Sequence, residues 1–291
     1  MAEVLWESGH LSSVVALRLT DDRQVVVKAR PWTPSLAGCH AVHAHVWTAG
    51  FPCPEPLIGP VSLGQLAATA EAHLPGGQPG VAEDATLAER SAAALAALIA
   101  CAPPVASVPS LDPPRPWAGW ADPRATPWPP PDEGIALNDL DATEDLRRLA
   151  STLNQRLRAS SLAPVIGHVD WYQGNLRWDG DRLVAADDWD SAAALPEAAL
   201  AGCAAVSFRP ERPGIDPPGW PGAEIEDSNT FLTAYAAARS HPFDREEIEG
   251  AWAAGLWQRT FDAAKALADG RPQAAADQLR DAAARLLLAG L

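Results

Sequence analysis

Asp170 and Asn175 stand five positions apart, and a cluster of acids, Asp187-Asp188-Trp189-Asp190, follows shortly after them. Side chains with oxygen donors at that spacing can manage a proton and a metal ion, provided the chain between them folds back on itself. The pattern predicts that it does. Residues 176–178 and 182–186 are short strand-like runs, and Asp179-Gly180 between them is a strong hairpin signal. A hairpin carries Asn175 and the aspartates at 187–190 to one end of the ribbon. There they could hold a divalent cation among oxygen ligands, as magnesium requires when substrate phosphates and waters complete its shell. Asp170 lies on the loop just ahead, aimed at the same point. A carboxylate there can take the proton of an attacking hydroxyl while the cation offsets charge on a transferring phosphoryl group. A polar turn leading into an ordinary hairpin is the plain alternative.

His168-x-Asp170-x4-Asn175 followed by Asp188-Trp189 resembles the catalytic loop and metal aspartate of the aminoglycoside phosphotransferase and choline kinase family, relatives of the protein kinases. The resemblance implies an α+β, bilobal protein-kinase-like fold: a small β-rich N-terminal lobe (1–73), a hinge (74–77) and a larger, mainly helical C-terminal lobe (78–291). It implies a kinase that passes the γ-phosphoryl group of ATP or GTP, with Mg2+, to a small-molecule hydroxyl. In that reading Asp170 is the base, Asn175 and Asp188 are magnesium ligands, and Asp190 is a weaker ligand or a contact to substrate. His168 braces the loop. Asp187 reads equally well as a solvated loop acid.

The elements that must position these groups begin with strands over residues 4–30, where 11–19 and 25–28 flank the polar turn Thr20-Asp21-Asp22-Arg23. By resemblance, Lys28 at the end of Val25-Val26-Val27-Lys28 contacts the α- and β-phosphates. The segment around Gly9, Ser12 and Ser13 holds a single glycine, so it either covers a phosphate with backbone amides or is a simple turn. Residues 34–49 predict a helix with Leu36, His40, His43, Val46 and Trp47 along one face. The family's helix carries a glutamate that pairs with the lysine, yet no Asp or Glu occurs between residues 24 and 54. That departure leaves His40 or His43 as the acceptor, or the nucleotide alone. It also keeps a catalytically impaired, nucleotide-binding pseudokinase as the alternative. Cys39, His40, His43, His45 and Cys53 could ligate zinc, but their spacing matches no standard site, and ordinary packing or surface histidines is the simpler account. Residues 66–73 form a strand ending at Leu74-Pro75-Gly76-Gly77. Position alone makes the backbone of Glu71 and His73 candidates for the adenine edge.

Helices are expected over 82–101, 141–160, 198–207, 229–240, 245–268 and 273–288. The Pro- and Trp-rich stretch 103–133, with Trp117, Trp120 and Trp128, is either a flap beside the substrate cleft or a structural arm. A formal charge of −15 argues against a nucleic-acid partner. It suits a cationic acceptor, and equally a plain soluble surface. Glu197, Glu224, Glu226 and Asp227 are the acids on offer to an amine, with surface solvation the simpler account of each. No run approaches the ~20 apolar residues of a membrane span, and the N-terminus lacks the order of a signal peptide, so the expected location is cytoplasmic. The four cysteines lie far apart and are read as reduced. A metal-dependent phosphohydrolase using the same aspartates is a third reading. Oligomeric state leaves no mark in these patterns.

Overall fold

A computed structural model of the chain describes residues 2–9, 12–111, 120, 127–128, 136–140, 144–210, 223–239 and 241–291. The N-terminal part is one antiparallel sheet of five strands: β1 (Glu3–Gly9), β2 (Ser13–Arg18), β3 (Gln24–Pro31), β4 (Pro56–Leu63) and β5 (Leu66–Ala72), in the order β1-β2-β3-β5-β4. The Val-rich runs of β2 and β3 pair across the turn at 19–23, where Asp22 takes φ 65°. Gly64, also at φ 65°, supplies the positive φ for the tight link between β4 and β5. Strand β4 escapes a sequence reading because Pro56, Gly59 and Pro60 look like breakers. It is the edge of the sheet, where a missing N–H is tolerated, and its register shifts twice around those residues.

Between β3 and β4 runs helix α1 (Ser35–Thr48), which buries Leu36, Cys39, Val42, His43 and Val46 and packs against both β4 and the turn at Trp189–Ser191. The face differs from the expected one: Trp47 is exposed and His40 half-buried. Past β5 the chain crosses to a mostly helical region built from α2 (Leu87–Cys101), α3 (Glu144–Arg158), α4 (Glu197–Ser207), α5 (Ile225–Ala238), α6 (Arg245–Ala268), α7 (Pro272–Leu279) and α8 (Ala282–Leu288). Two short ribbons are set into it: β6 (Pro164–His168) pairs with β9 (Ala192–Pro196), and β7 (Leu176–Asp179) forms the expected hairpin with β8 (Arg182–Ala186). The single helix expected over 273–288 is broken in two. Asp281 at the break accepts from buried Arg285, which also donates to Ser228 Oγ and the Ala223 carbonyl. Among the described residues, no helix is long and apolar enough to cross a membrane.

The core centres on α4 and α6. Every residue from Ala198 to Val206 is buried, and Gly202 lies so close to α6 that a Cβ there would overlap the Ala251 carbonyl. Gly255 closes the same contact from the other side, against the Gly202 carbonyl. Backbone has no side-chain freedom with which to yield, so Gly202→Ala is expected to destabilise the protein by roughly 2 to 3 kcal/mol. Thermal unfolding should register this as a fall of about 3 to 5 °C in Tm. Much of 103–133, including Trp117, lies outside the described residues. Trp120 and Trp128 are buried on α6, packed against Trp257, which favours the structural-arm reading for those two side chains.

Candidate active site

Strand β6 delivers His168, and the chain turns at Val169, whose N–H donates to the Ser191 carbonyl, before reaching Asp170. A 3-10 turn over Gln173–Asn175 then leads into β7. Asn175 Nδ2 donates both to Asp170 Oδ2 and to the Asp170 carbonyl, each at 2.9 Å. With its donor end spent on Asp170, the amide offers its oxygen elsewhere. The β7–β8 hairpin returns so that Asp187 N–H donates to the Asn175 carbonyl at 2.8 Å. Asp188 follows in the left-handed region at φ 62°, ψ 50°, a conformation Asp and Asn accept more readily than other residues with a Cβ.

Beneath this loop His168 is almost fully buried. Its Nε2 lies 3.1 Å from the carbonyls of both Asp187 and Asp188. Two carbonyl partners fix Nε2 as the protonated nitrogen, and burial keeps the ring neutral by depressing its pKa. It braces the loop from below, out of reach of any reacting group above. His43 on α1 is likewise held neutral: burial lowers its pKa to about 3, its Nε2 donates to the Pro54 carbonyl at 2.7 Å, and its ring stacks on Trp189. The Cys39 thiol donates to the carbonyls of Asp190 and Ala192. Cys39 and His43 therefore pack α1 onto the loop, while His45 is exposed.

From the sheet side, Lys28 Nζ reaches Glu71 Oε1 at 3.3 Å and Asp188 Oδ1 at 3.8 Å. Burial would depress the ammonium, but Glu71, Asp188 and Asp187 outweigh it and hold its pKa above the ordinary value. The lysine's partner is thus a strand residue, and neither His40 nor His43 takes that place. Glu71 enters the site through its side chain. The His73 N–H is already committed to the Gln24 carbonyl, so it is no donor to an adenine edge. On the same face of β3, Arg30 forms an ion pair with Asp190, whose Oδ1 is buried with no hydrogen-bond partner among the described residues. Asp190 is held by the sheet rather than presented with Asp188.

Asp187 is not a solvated acid. Arg177 binds it through Nε at 2.8 Å, and donates through its terminal nitrogen to the carbonyls of Leu74 at 2.5 Å and Gly76 at 2.7 Å, tying the loop to the crossover. Ser12 and Ser13 sit at the β1–β2 tip, where Ser13 pairs with Gly9; His10 and Leu11 lie outside the described residues. Glu197 accepts from Tyr235 and Arg239, while Glu224 and Asp227 cap α5, so these three acids serve the fold.

The Asp170 carboxyl is pushed up to about 6, first by burial and then by the charge of Asp188, with the Asn175 hydrogen bond working the other way. Among the described residues no three His, Cys, Asp or Glu side chains converge as a metal cluster. The oxygen set that remains, Asp188 with the Asn175 amide, suits a hard cation that draws its other ligands from phosphate and water.

Three contributors went unread in the sequence: the side chains of Glu71, Arg30 and Arg177. The signals existed. Glu71 is the lone charge in Leu66-Ala-Ala-Thr-Ala-Glu71-Ala, and Arg30 must share a face with Lys28 two residues before it. The chain also has only two lysines, Lys28 and Lys265, against 22 lysines and arginines together.

The phosphotransferase enzyme family model matches residues 5–216. Curated protein sequences gave no match. Among solved structures, amicoumacin kinase hAmiN in complex with AMP-PNP, Ca2+ and Ami aligns with TM-score 0.67 at 12% identity, over 96% of this chain and 88% of that one. The ethanolamine kinase of Plasmodium vivax aligns with TM-score 0.61 at 12% identity, over 100% and 82%. An aminoglycoside phosphotransferase from Alicyclobacillus acidocaldarius aligns with TM-score 0.58 at 15% identity, over 98% and 91%. At such identities the structures speak for the fold. The family match spans the sheet, the Asp170 loop and the Asp188 turn together, and on that ground the chain belongs to the phosphotransferase (APH) family, kinases that transfer a phosphoryl group to hydroxyls of small molecules.

Proposed function

We propose that this chain uses ATP with Mg2+ to phosphorylate a hydroxyl of an amine-bearing small molecule, an aminoglycoside-like antibiotic or a metabolite. The observation that carries this reading is the approach of Lys28 from the sheet to within 3.8 Å of Asp188 on the loop, with Asp170 and Asn175 alongside. The triphosphate would lie in the cleft between residues 1–73 and 78–291, beneath the β1–β2 tip with Ser12 and Ser13, and 74–77 would act as the hinge. GTP is accommodated by the same chemistry. Asp188 and the Asn175 amide oxygen would hold magnesium, which supplies charge neutralisation for the phosphates. Asp170 orients the acceptor hydroxyl and receives its proton as the oxygen attacks the γ-phosphorus. Lys28 draws charge from the phosphates. Most of the acceleration comes from alignment and charge, since a loose transition state leaves little bond-making for side chains to assist.

The pseudokinase alternative rests on the absent helix glutamate and on the single glycine of the β1–β2 tip; Glu71 supplies the lysine with a carboxylate and so speaks against the first of these. An acceptor amine is supported by the chain's formal charge of −15. Incubating the protein with Mg·ATP and a panel of amino alcohols and aminoglycosides, with mass spectrometry for a phosphorylated product, tests the reading. Phosphorylation confined to neutral sugars would overturn the amine preference, and no transfer to any acceptor would overturn the activity.

A pH dependence follows. Asp170 acts as a base only when ionised, and its pKa of about 6 lies above that of an ordinary carboxylate. kcat/KM reports the free enzyme, so it should be level above about pH 7 and fall roughly tenfold for each pH unit below 6. A profile still level at pH 5 would remove Asp170 from the base role.

A further inference from the structure

We propose that Glu71 is the positioning residue for Lys28, holding its ammonium at the nucleotide phosphates from within the sheet. This rests on the kinase reading above. Lys28 pairs opposite Thr69 in the β3–β5 register and Val26 pairs opposite Glu71, so Glu71 is the diagonal neighbour of Lys28 on one face. Long side chains span that diagonal readily. Both members are largely buried, at 17% and 12% side-chain exposure. They line a cavity closed by α1 residues Cys39, His40 and His43 and by Trp189 and Asp190. None of the α1 residues there is acidic, and His43 already donates to Pro54.

Lys28 has two carboxylate partners, Glu71 and Asp188. A cation bound by Asp188 would compete for that carboxylate, and Glu71 would then be the anchor that stays. Its distance to Lys28 is set by hydrogen-bonded strands and not by the placement of a helix. The ammonium is therefore in position whether or not α1 shifts. Arg30, pairing with Asp190 from the same face of β3, adds a second strap from sheet to loop.

The test is a double-mutant cycle read by calorimetry on the full chain. Glu71→Gln keeps the shape and removes the charge. Glu71→Gln and Lys28→Ala should each weaken Mg·ATP roughly tenfold, and the double variant should be no weaker than Lys28→Ala within about threefold, because each change removes the same interaction. Adenosine, which has no phosphates, should bind all four proteins alike. Multiplying losses, or adenosine weakened by Glu71→Gln, would overturn the proposal, the latter by showing that Glu71 serves the base pocket or general packing.

The two-lysine composition allows a second readout without nucleotide. With 15N-lysine, the Lys28 ammonium should be motionally restricted in wild type and released in Glu71→Gln, the other signal being identified by Lys265→Arg. An ammonium equally mobile in both proteins sinks the proposal. Should Glu71→Gln fail to fold, Glu71→Asp carries the same cycle, with a smaller loss on Mg·ATP and none on adenosine. A wild type that does not bind Mg·ATP at all would remove the kinase reading itself, an outcome distinct from an additive cycle.

Discussion

Asp170→Asn is expected to lower turnover by roughly a thousandfold while Mg·ATP binds within about threefold of wild type, the loss typical of removing a well-placed general base. The substitution is nearly isosteric, and Asn175 Nδ2, which donates to Asp170 Oδ2 at 2.9 Å, can donate to the new amide oxygen equally well. What disappears is the ability to accept a proton. A KM for ATP unchanged with kcat collapsed is the signature of an interaction made only in the transition state. Turnover within tenfold of wild type would mean that Asp170 orients the hydroxyl without taking its proton. The same variant should melt no lower than wild type. Burial and the Asp188 charge raise the pKa of Asp170 to about 6, so the carboxylate that predominates at pH 7 costs the folded protein stability relative to the unfolded chain, and a neutral amide removes that cost. Lost activity with stability retained or gained would set this site among those whose function costs stability.

The parts of the fold written in local pattern were legible, and the parts written across the chain were not. The Asp179-Gly180 turn, the Val-rich hairpin of β2 and β3, and the long helices α2 and α6 follow from period and punctuation, and the structure places them within a few residues of expectation. Strand β4 was hidden because an edge strand tolerates prolines that a central strand would not. Strand β9 was hidden for another reason: Ala192–Pro196 is a run of small residues with no β signature, and it is a strand because β6 lies beside it. Its propensity was overridden by tertiary contact.

That Asp170, Asn175 and Asp188 lie close together could be read because a turn of fixed length brings near neighbours together. The Lys28 partner could not be read by looking along the following helix. Its carboxylate stands 43 positions further on, and only strand register makes it a neighbour. Arg177 shows the same limit, since its bonds to Leu74 and Gly76 join segments about a hundred residues apart.

If Asp188 holds the cation as proposed, Asp188→Asn should cost at least roughly a thousandfold in kcat/KM, because several kcal/mol of charge stabilisation go with that ligand, and each 1.36 kcal/mol is tenfold. Asparagine is the right probe for a backbone reason. Asp188 sits at φ 62°, ψ 50°, which Asn adopts as readily as Asp, whereas Ala would add a strain cost unconnected with the metal. The specific readout is the magnesium dependence of nucleotide affinity. Wild type should bind ADP more tightly with Mg2+ than with EDTA, and in Asp188→Asn that difference should vanish. Asp190→Asn is the control: its carboxylate is paired with Arg30, so this change should lower Tm and leave the magnesium effect in place. If the effect instead survives in Asp188→Asn and disappears in Asp190→Asn, the two aspartates exchange roles and the sheet-to-loop pairing of Arg30 must open on metal binding. A further consequence links both variants. The charge of Asp188 is, after burial, the main cause of the raised Asp170 pKa, so the acid limb of the residual activity in Asp188→Asn should move to lower pH, and a limb that stays at pH 6 would mean that burial alone sets the base.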